Sequence, residues 1–369
     1  MLPFSKILSG QNNVLSILSK ISNSKNIPHA LLFSGPEGVG KFFTAIEFSK
    51  LVNFNSPNFE KISDKITQLS EPYVKLIFPL PRGNGETPDD SPTAKLSRDL
   101  IEEIQTQIKT KSQNPFFRFN ISGANSIKIS SIRDLKKSIA MSVADCKYRI
   151  IIINDAHLMN AESQNALLKS LEEPPEGIIF ILLTSNKNQL LETIISRCWQ
   201  INFSPLPNTD IETILTEYFD VEAKLAKEAA YFADGSVHSA LSLVENDIDY
   251  ILEKVINILR YSFAGKYNTA FNLIKEFTEK KSELSIQLLI SFINKWLSDV
   301  LKARIGNEDI YFRTHIETIT KFNEKFYDVD VSKPINLNNN FITYLQANVS
   351  LNIIAMNIIF ELASIAKRY

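Results

Sequence analysis

The chain has 369 residues, 44% of them hydrophobic and 22% charged, a mixture that builds two or three globular domains rather than a disordered or fibrous chain. Forty basic against 41 acidic residues leave a formal charge of -1, so no global field draws the molecule to nucleic acid and any such contact needs a local patch. Cys146 and Cys198 form no C-x-x-C pair, and His29, His157, His238 and His315 show no metal-ligand spacing, which predicts free, structural thiols in a reducing compartment and no metal.

The opening stretch MLPFSKILSGQNNVL has no long apolar run, which argues against a secretory leader. The most apolar segments, RIIIIN and IIAMNIIF, are far shorter than the ~20 residues of a membrane helix. A cytoplasmic protein with no membrane partner is expected.

Residues 10–24 predict an amphipathic helix with Val14, Leu15, Leu18 and Ile21 on one face. HALLFSG (29–35) is a short, continuously apolar run ending at Gly-Pro, as in a buried parallel strand, and KFFTAIEFSKLV (41–52) reads as the next helix. Between 53 and 125 the patterning weakens, and PLPRGNGETPDDSPT (79–93) reads as a solvated loop. SIRDLKKSIAMSVA (131–144) predicts a helix and YRIIIIND (148–155) a buried strand. NAESQNALLKSLEEPP (160–175) is a helix stopped by paired prolines. GIIFILLTS (177–185) predicts another buried strand, followed by a helical stretch through Ser196 and a buried strand at WQINF (199–203).

After SPLP (204–207) no strand pattern recurs. Short helices are expected over 208–245, broken at Gly235, and long ones beyond. Ile286, Leu289, Ile293, Trp296, Leu297 and Val300 mark one face of a helix, and Leu351, Ile354, Ile358 and Leu362 lie on another. The expected fold is an α/β parallel-sheet P-loop domain over 1–205, a small helical lid over 206–247 and an all-α domain over 248–369.

GPEGVGKFF (35–43) carries most of a phosphate-binding loop. Gly35, Gly38 and Gly40 let backbone N–H groups turn toward a phosphate at a helix N-terminus, and Lys41 is expected on the β/γ-phosphates. The hydroxyl that normally follows the lysine and holds Mg²⁺ is replaced by Phe42. IIIINDAH (150–157) ends its strand in Asn154-Asp155, where motor ATPases of this architecture place Asp-Glu. Asn154 is a neutral, weaker ligand for a hard cation, and Asp155 is a methylene short of the expected base. In TIISRCWQINF (193–203), Arg197 lies at an element boundary. There it binds helix-end carbonyls or serves as an arginine finger on a neighbour's nucleotide, an effect worth ~10³–10⁵ in rate.

HALLFSGPEGVGK, NALLKSLEEPP and SRC, with FSKILSGQ (4–11) before them, resemble in order and spacing the bacterial DNA polymerase III clamp-loader subunits of the AAA+ class. The likeness covers about 1–45 and 127–205, is weaker over the lid, and is only architectural beyond. GSVHSAL (235–241) matches the family's lid motif, with His238 where a sensing arginine is usual; a histidine is shorter and largely neutral at pH 7. Phe42, Asn154 and His238 thus depart together, and the chain resembles the delta-prime branch rather than the ATP-hydrolysing gamma/tau branch. The resemblance implies a pseudo-ATPase stator with no turnover of its own, with Arg197 acting in trans and Ser196 and Cys198 positioning it or merely packing. It also implies partnership with gamma/tau and delta subunits, access to the sliding clamp and primed DNA through the complex, and a collar formed by the C-terminal helices.

The alternatives are an active gamma/tau-like ATPase, with Lys41 and Asp155 sufficing, or a loop that binds ATP only structurally. Lys169 either touches a DNA phosphate or is a solvated charge. Family members commonly carry a four-cysteine zinc module after the loop; this chain has no cysteine from 42 to 145, so no zinc is expected, and the role of 53–125 is open.

Overall fold

The computed structural model describes residues 10–24, 26–139, 146–278, 286–335, 341, 344 and 349–366. The N-terminal part of the FSKILSGQ segment and residues 140–144 of the predicted helix over 131–144 lie outside these. The chain forms two compact units, one made of residues up to Ala223 with Ala233–His238, the other of Lys224–Phe232 with residues from Ser239 onward.

In chain order the first unit contains α1 (Asn12–Ser22), β1 (Ala30–Ser34), α2 (Lys41–Val52), α3 (Phe59–Thr67), β2 (Val74–Ile77), α4 (Arg98–Gln113), α5 (Ile129–Ile139), β3 (Arg149–Ile153), α6 (Ala161–Glu172), β4 (Ile178–Thr184), α7 (Glu192–Ile195), β5 (Trp199–Asn202) and α8 (Asn208–Phe219). Its five strands pair in parallel in the order β2-β3-β4-β1-β5. β1, β3 and β4 are buried along their whole length, which is why their sequences run continuously apolar rather than alternating. Alternate residues feed two cores, one on each face. Phe33, Phe48, Ile150, Ile152 and Ile181 enter the first; Leu32, Ile151, Phe180, Leu167 and Leu135 enter the second. Each such side chain contributes ~1.5–3 kcal/mol on burial.

β1 lies between β4 and β5, so the loop after it opens at the carboxyl end of the sheet where the chain order reverses. In open α/β sheets that is the crevice for ligands. Caps fix the elements around it: the Asn160 side chain accepts the Ser163 N–H at 2.8 Å to start α6, and Pro174-Pro175 end that helix's possible course.

Two expectations change and a third is refined. The unpatterned stretch 53–125 contains α3, α4 and an additional strand, β2, paired with β3. The loop at 79–93 is irregular, with no buried residue from Arg82 to Thr93, as expected of a solvated loop, and it is pinned at Glu86: Lys128 Nζ donates to Glu86 Oε2 at 2.8 Å and to the Pro81 and Pro92 carbonyls. β5 is an edge strand rather than a buried one, burying only Ile201, while Trp199 is 56% exposed.

The second unit is built of helices joined by turns and loops, with no strand among its described residues. It contains α9 (Ala223–Phe232) from Lys224 onward and α10 (Val237–Glu245) from Ser239 onward. α11 (Ile248–Phe263), α12 (Tyr267–Thr278), α13 (Ile286–Arg304), α14 (Ile316–Lys325) and α15 (Leu351–Ala366) follow. All six apolar residues read along α13 are buried, as are Ile354, Ile358 and Leu362 of α15. The Phe232 and Phe292 rings stack at 5.0 Å. Asp299, fully buried in α13, accepts the Tyr311 and Phe312 N–H groups at 3.0 and 2.9 Å. Among the described residues no helix is long and apolar enough to cross a membrane.

Candidate functional site

The loop between β1 and α2 retains the backbone of a phosphate cradle. Gly38 (φ 73°) and Gly40 (φ 91°) occupy the left-handed region that only glycine enters at no steric cost, and Gly40 leads directly into the N-terminus of α2. The cradle is held by protein. A Cβ on Gly38 would collide with Ser236 Oγ, and the Val237 N–H donates to Gly38 O at 3.0 Å. Gln11, 4% exposed, donates to Ser204 O at 2.7 Å and to Val39 O at 3.4 Å. Lys41 folds back, its Nζ donating to Gly35 O at 2.7 Å and also to Pro36 O. Burial, opposed by Glu37 and Asp155, brings its ammonium down to about 8.

Sequence reading anticipated one group of residues here, and the structure brings them together. Gly38, Gly40, Lys41, Phe42, Asn154, Asp155 and His238 line a single cleft. Gly35 stands just behind it, its N–H on Thr184 O at 3.2 Å. Phe42 points into apolar packing and is 5% exposed. At the end of β3 the Asn154 amide donates to Asp155 Oδ2 at 2.8 Å. Burial, reinforced by the Glu37 charge, pushes the Asp155 carboxyl above the usual carboxylate range. Burial and then Arg118 push His238 below its ordinary value, which favours the neutral ring.

The same cleft is lined by residues the sequence did not single out: Glu37, Lys111 and the run Pro115–Arg118. Arg118 Nη1 pairs with Glu37 Oε2 at 2.9 Å. The Lys111 ammonium lies 4.3 Å from the centre of the Phe42 ring and donates to Pro115 O at 2.8 Å and to Phe117 O. A signal existed in NPFFRF (114–119), three aromatic residues around an arginine, which is unusual for a solvated loop.

Magnesium-bound nucleotide, the ligand the fold implies, does not fit these residues. Position 42 offers a buried ring instead of an oxygen, Asn154 is turned onto Asp155, and a lysine ammonium lies over that ring. The cavity left between the lining side chains is about 80 Å³, against roughly 300 Å³ for the smallest ordinary ligand pockets.

Arg197 is elsewhere. It follows α7 and is about one-third exposed, with Nη2 on Glu172 Oε1 at 2.6 Å and Nη1 donating to Thr193 O at 2.8 Å. Ser196 Oγ donates to the same carbonyl at 3.3 Å. Cys198 is buried in the second core, which pushes its thiol up to about 12 and leaves it unreactive. Lys169 is exposed on α6.

A five-stranded parallel sheet with a glycine loop after β1 and a polar pair after β3 defines a P-loop protein of the AAA+ class. A profile of the family described as "DNA polymerase III, delta subunit" matches residues 10–207, more than half of the chain, and the chain belongs to that family of clamp-loader proteins. It is 29% identical over 246 residues to the DNA polymerase III subunit tau of Bacillus subtilis, covering 65% of this chain and 37% of that one. It is 26% identical over 322 residues to subunit gamma of Buchnera aphidicola from Acyrthosiphon pisum, covering 85% and 77%. It is 30% identical over 244 residues to subunit tau of Escherichia coli, covering 65% and 32%. The chain therefore spans about a third of the two tau subunits and three-quarters of this gamma subunit.

Proposed function

We propose that this chain is a delta-prime-like stator of the replicative clamp loader, a pseudo-ATPase whose chemistry is made on a neighbour's nucleotide. The observation that carries the reading is the joint departure at Phe42, Asn154 and His238 around one cleft, beside an Arg197 that lies partly exposed outside it. A guanidinium at a subunit boundary stabilises charge that develops on a transferred phosphoryl group. The Glu172 pair holding Arg197 is a surface pair, worth ~0–1 kcal/mol, so a more desolvated anion displaces it at little cost. Partners in this reading are gamma/tau and delta subunits, and through the assembly the sliding clamp and primed DNA. The division of the helical region into a lid, 206–247, and a collar, 248–369, belongs to the same proposal, as does the possibility of a DNA phosphate contact at Lys169.

The second reading is an active gamma/tau-like ATPase subunit, favoured by the names of the relatives. One experiment separates the two: clamp- and DNA-stimulated ATP hydrolysis by the reconstituted loader, wild type against Arg197→Ala, with the isolated chain as blank. The stator reading expects a silent blank and a severalfold loss of turnover in a complex that still assembles. Unchanged turnover makes Arg197 structural, and turnover in the blank establishes the second reading.

A further inference from the structure

Residues 111–118 lie in the stretch that carries no zinc ligands, and their local chemistry fixes them against the phosphate loop. α4 ends at Gln113, and the Asn114 side chain accepts the Phe116 and Phe117 N–H groups at 2.9 and 3.2 Å, turning the chain sharply. The turn drives Phe116, 5% exposed, against Phe43 of α2 at 6.3 Å and Phe219 of α8 at 6.2 Å between ring centres. Tyr218 closes the same cluster, its ring 6.3 Å from Phe43 and its hydroxyl donating to Gln113 O at 3.4 Å. The segment is therefore anchored by aromatic packing and presents two cations into the cleft. Lys111 goes to the face of Phe42, where a cation is favoured by the ring quadrupole. Arg118 goes to the loop carboxylate Glu37.

We propose that Lys111–Arg118 is a built-in occupant of this chain's own nucleotide cleft. Lys111 places its amino group over the Phe42 ring, at the position where a hydroxyl would hold a divalent cation, and the Arg118–Glu37 pair closes the mouth of the phosphate loop. The cleft then takes neither a nucleoside triphosphate nor a divalent cation. The loop lysine is satisfied internally: Lys41 Nζ donates to the Gly35 and Pro36 carbonyls and faces the Glu37 carboxylate in the same cleft, so it needs no phosphate as a partner. Phe42 is part of the device, because a serine or threonine at 42 offers no ring for the ammonium to lie on. The inference rests on the reading of a subunit without turnover of its own, but it concerns binding, which is measured separately.

The test uses the full chain and ATP carrying a fluorescent ribose label, titrated to 1 mM with 5 mM Mg²⁺ and again with EDTA. The wild type is expected to show no saturable binding in either buffer and no change in melting temperature with 5 mM Mg·ATP, since only a ligand of the native state raises it. Lys111→Ala/Arg118→Ala is expected to gain saturable binding, at least tenfold tighter than the wild-type limit. Saturable wild-type binding, or a rise of several degrees in its melting temperature, overturns the proposal, and this arm does not depend on the variant folding. A double variant that unfolds cooperatively yet still fails to bind overturns it too, because the loss then lies in Phe42 and Asn154 alone. Wild-type binding without turnover sinks this inference and leaves the stator reading intact; wild-type turnover sinks both.

Discussion

Replacing Lys111 by methionine tests the buried ammonium directly. Burial, opposed by Asp155 and aided by Lys41, brings this group from 10.5 down to about 7, and its side chain is almost wholly enclosed. Below pH 7 the group is protonated in both folded and unfolded chains, and the full penalty of burying charge is present. Between pH 7 and 10.5 the unfolded chain binds the proton and the folded chain does not, so wild-type stability rises with pH through that window. Each pH unit there is worth ~1.4 kcal/mol. The methionine variant lacks this dependence while keeping most of the volume. Its stability relative to wild type is therefore greatest at pH 6 and falls by about 2.7 kcal/mol by pH 9. Loss of the hydrogen bonds to the Pro115 and Phe117 carbonyls shifts both values by the same ~1–3 kcal/mol and leaves the difference untouched. Urea unfolding by circular dichroism at the two pH values measures it. Parallel pH profiles for the two proteins would refute the enclosure of this lysine in the cleft.

Phe116→Ala removes the anchor of the same segment and should cost ~3–4 kcal/mol in urea unfolding, with faster proteolysis at Lys111 and Arg118; unchanged stability would mean the ring is not enclosed by Phe43 and Phe219. Glu172→Gln should change stability by less than ~1 kcal/mol, because both partners of its ion pair are partly exposed; a larger loss in thermal unfolding would make Arg197 a structural residue. Asp299→Ala leaves the Tyr311 and Phe312 N–H groups without their acceptor, and should destabilise the second unit by ~2–3 kcal/mol, read from fluorescence of the buried Trp296. In Glu86, burial pushes the carboxyl up but Lys128, the Gly83 N–H and Ser130 outweigh it and hold it below the usual range. The stabilisation it gives is present above pH 4.5 and lost as pH falls through the lower folded value, so amide exchange over 79–93 should quicken selectively on acidification.

The elements whose chemistry is local were legible in the sequence. A buried parallel strand followed by glycines and a helix admits few other readings, and the predicted helix 41–52 has the observed bounds. The six-residue stripe on α13 was equally plain, since a helix buried on one side must repeat its apolar residues near every 3.6. β2 was hidden because it is four residues long with Lys75 inside it and prolines at 72 and 79. α4 has a thin stripe of Leu100, Ile104 and Ile108 in an otherwise polar sequence, too narrow to stand out beside the loop before it. β5 was misjudged because an apolar pair, Ile201 and Phe203, alternates with outward residues only on one side of an edge. Half of the candidate site was legible for the same reason as the fold: glycines, lysine and the strand-end pair are set by the loop and its neighbours. The other half was not, because Lys111 and Arg118 meet Phe42 and Glu37 across some 70 residues of chain, and no periodicity encodes which side chain a distant loop receives.

The phosphate loop is held in shape by Gln11, by the Val237 N–H and by its own lysine. A protein that binds ATP in such a loop gains folding free energy in proportion to the logarithm of nucleotide concentration, so its folded population and its survival against proteases follow the energy state of the cell. A loop braced by its own chain has no such dependence. On the reading above, the supply of this subunit would stay constant when ATP runs low, while members of an assembly that rely on bound nucleotide lose part of their stability.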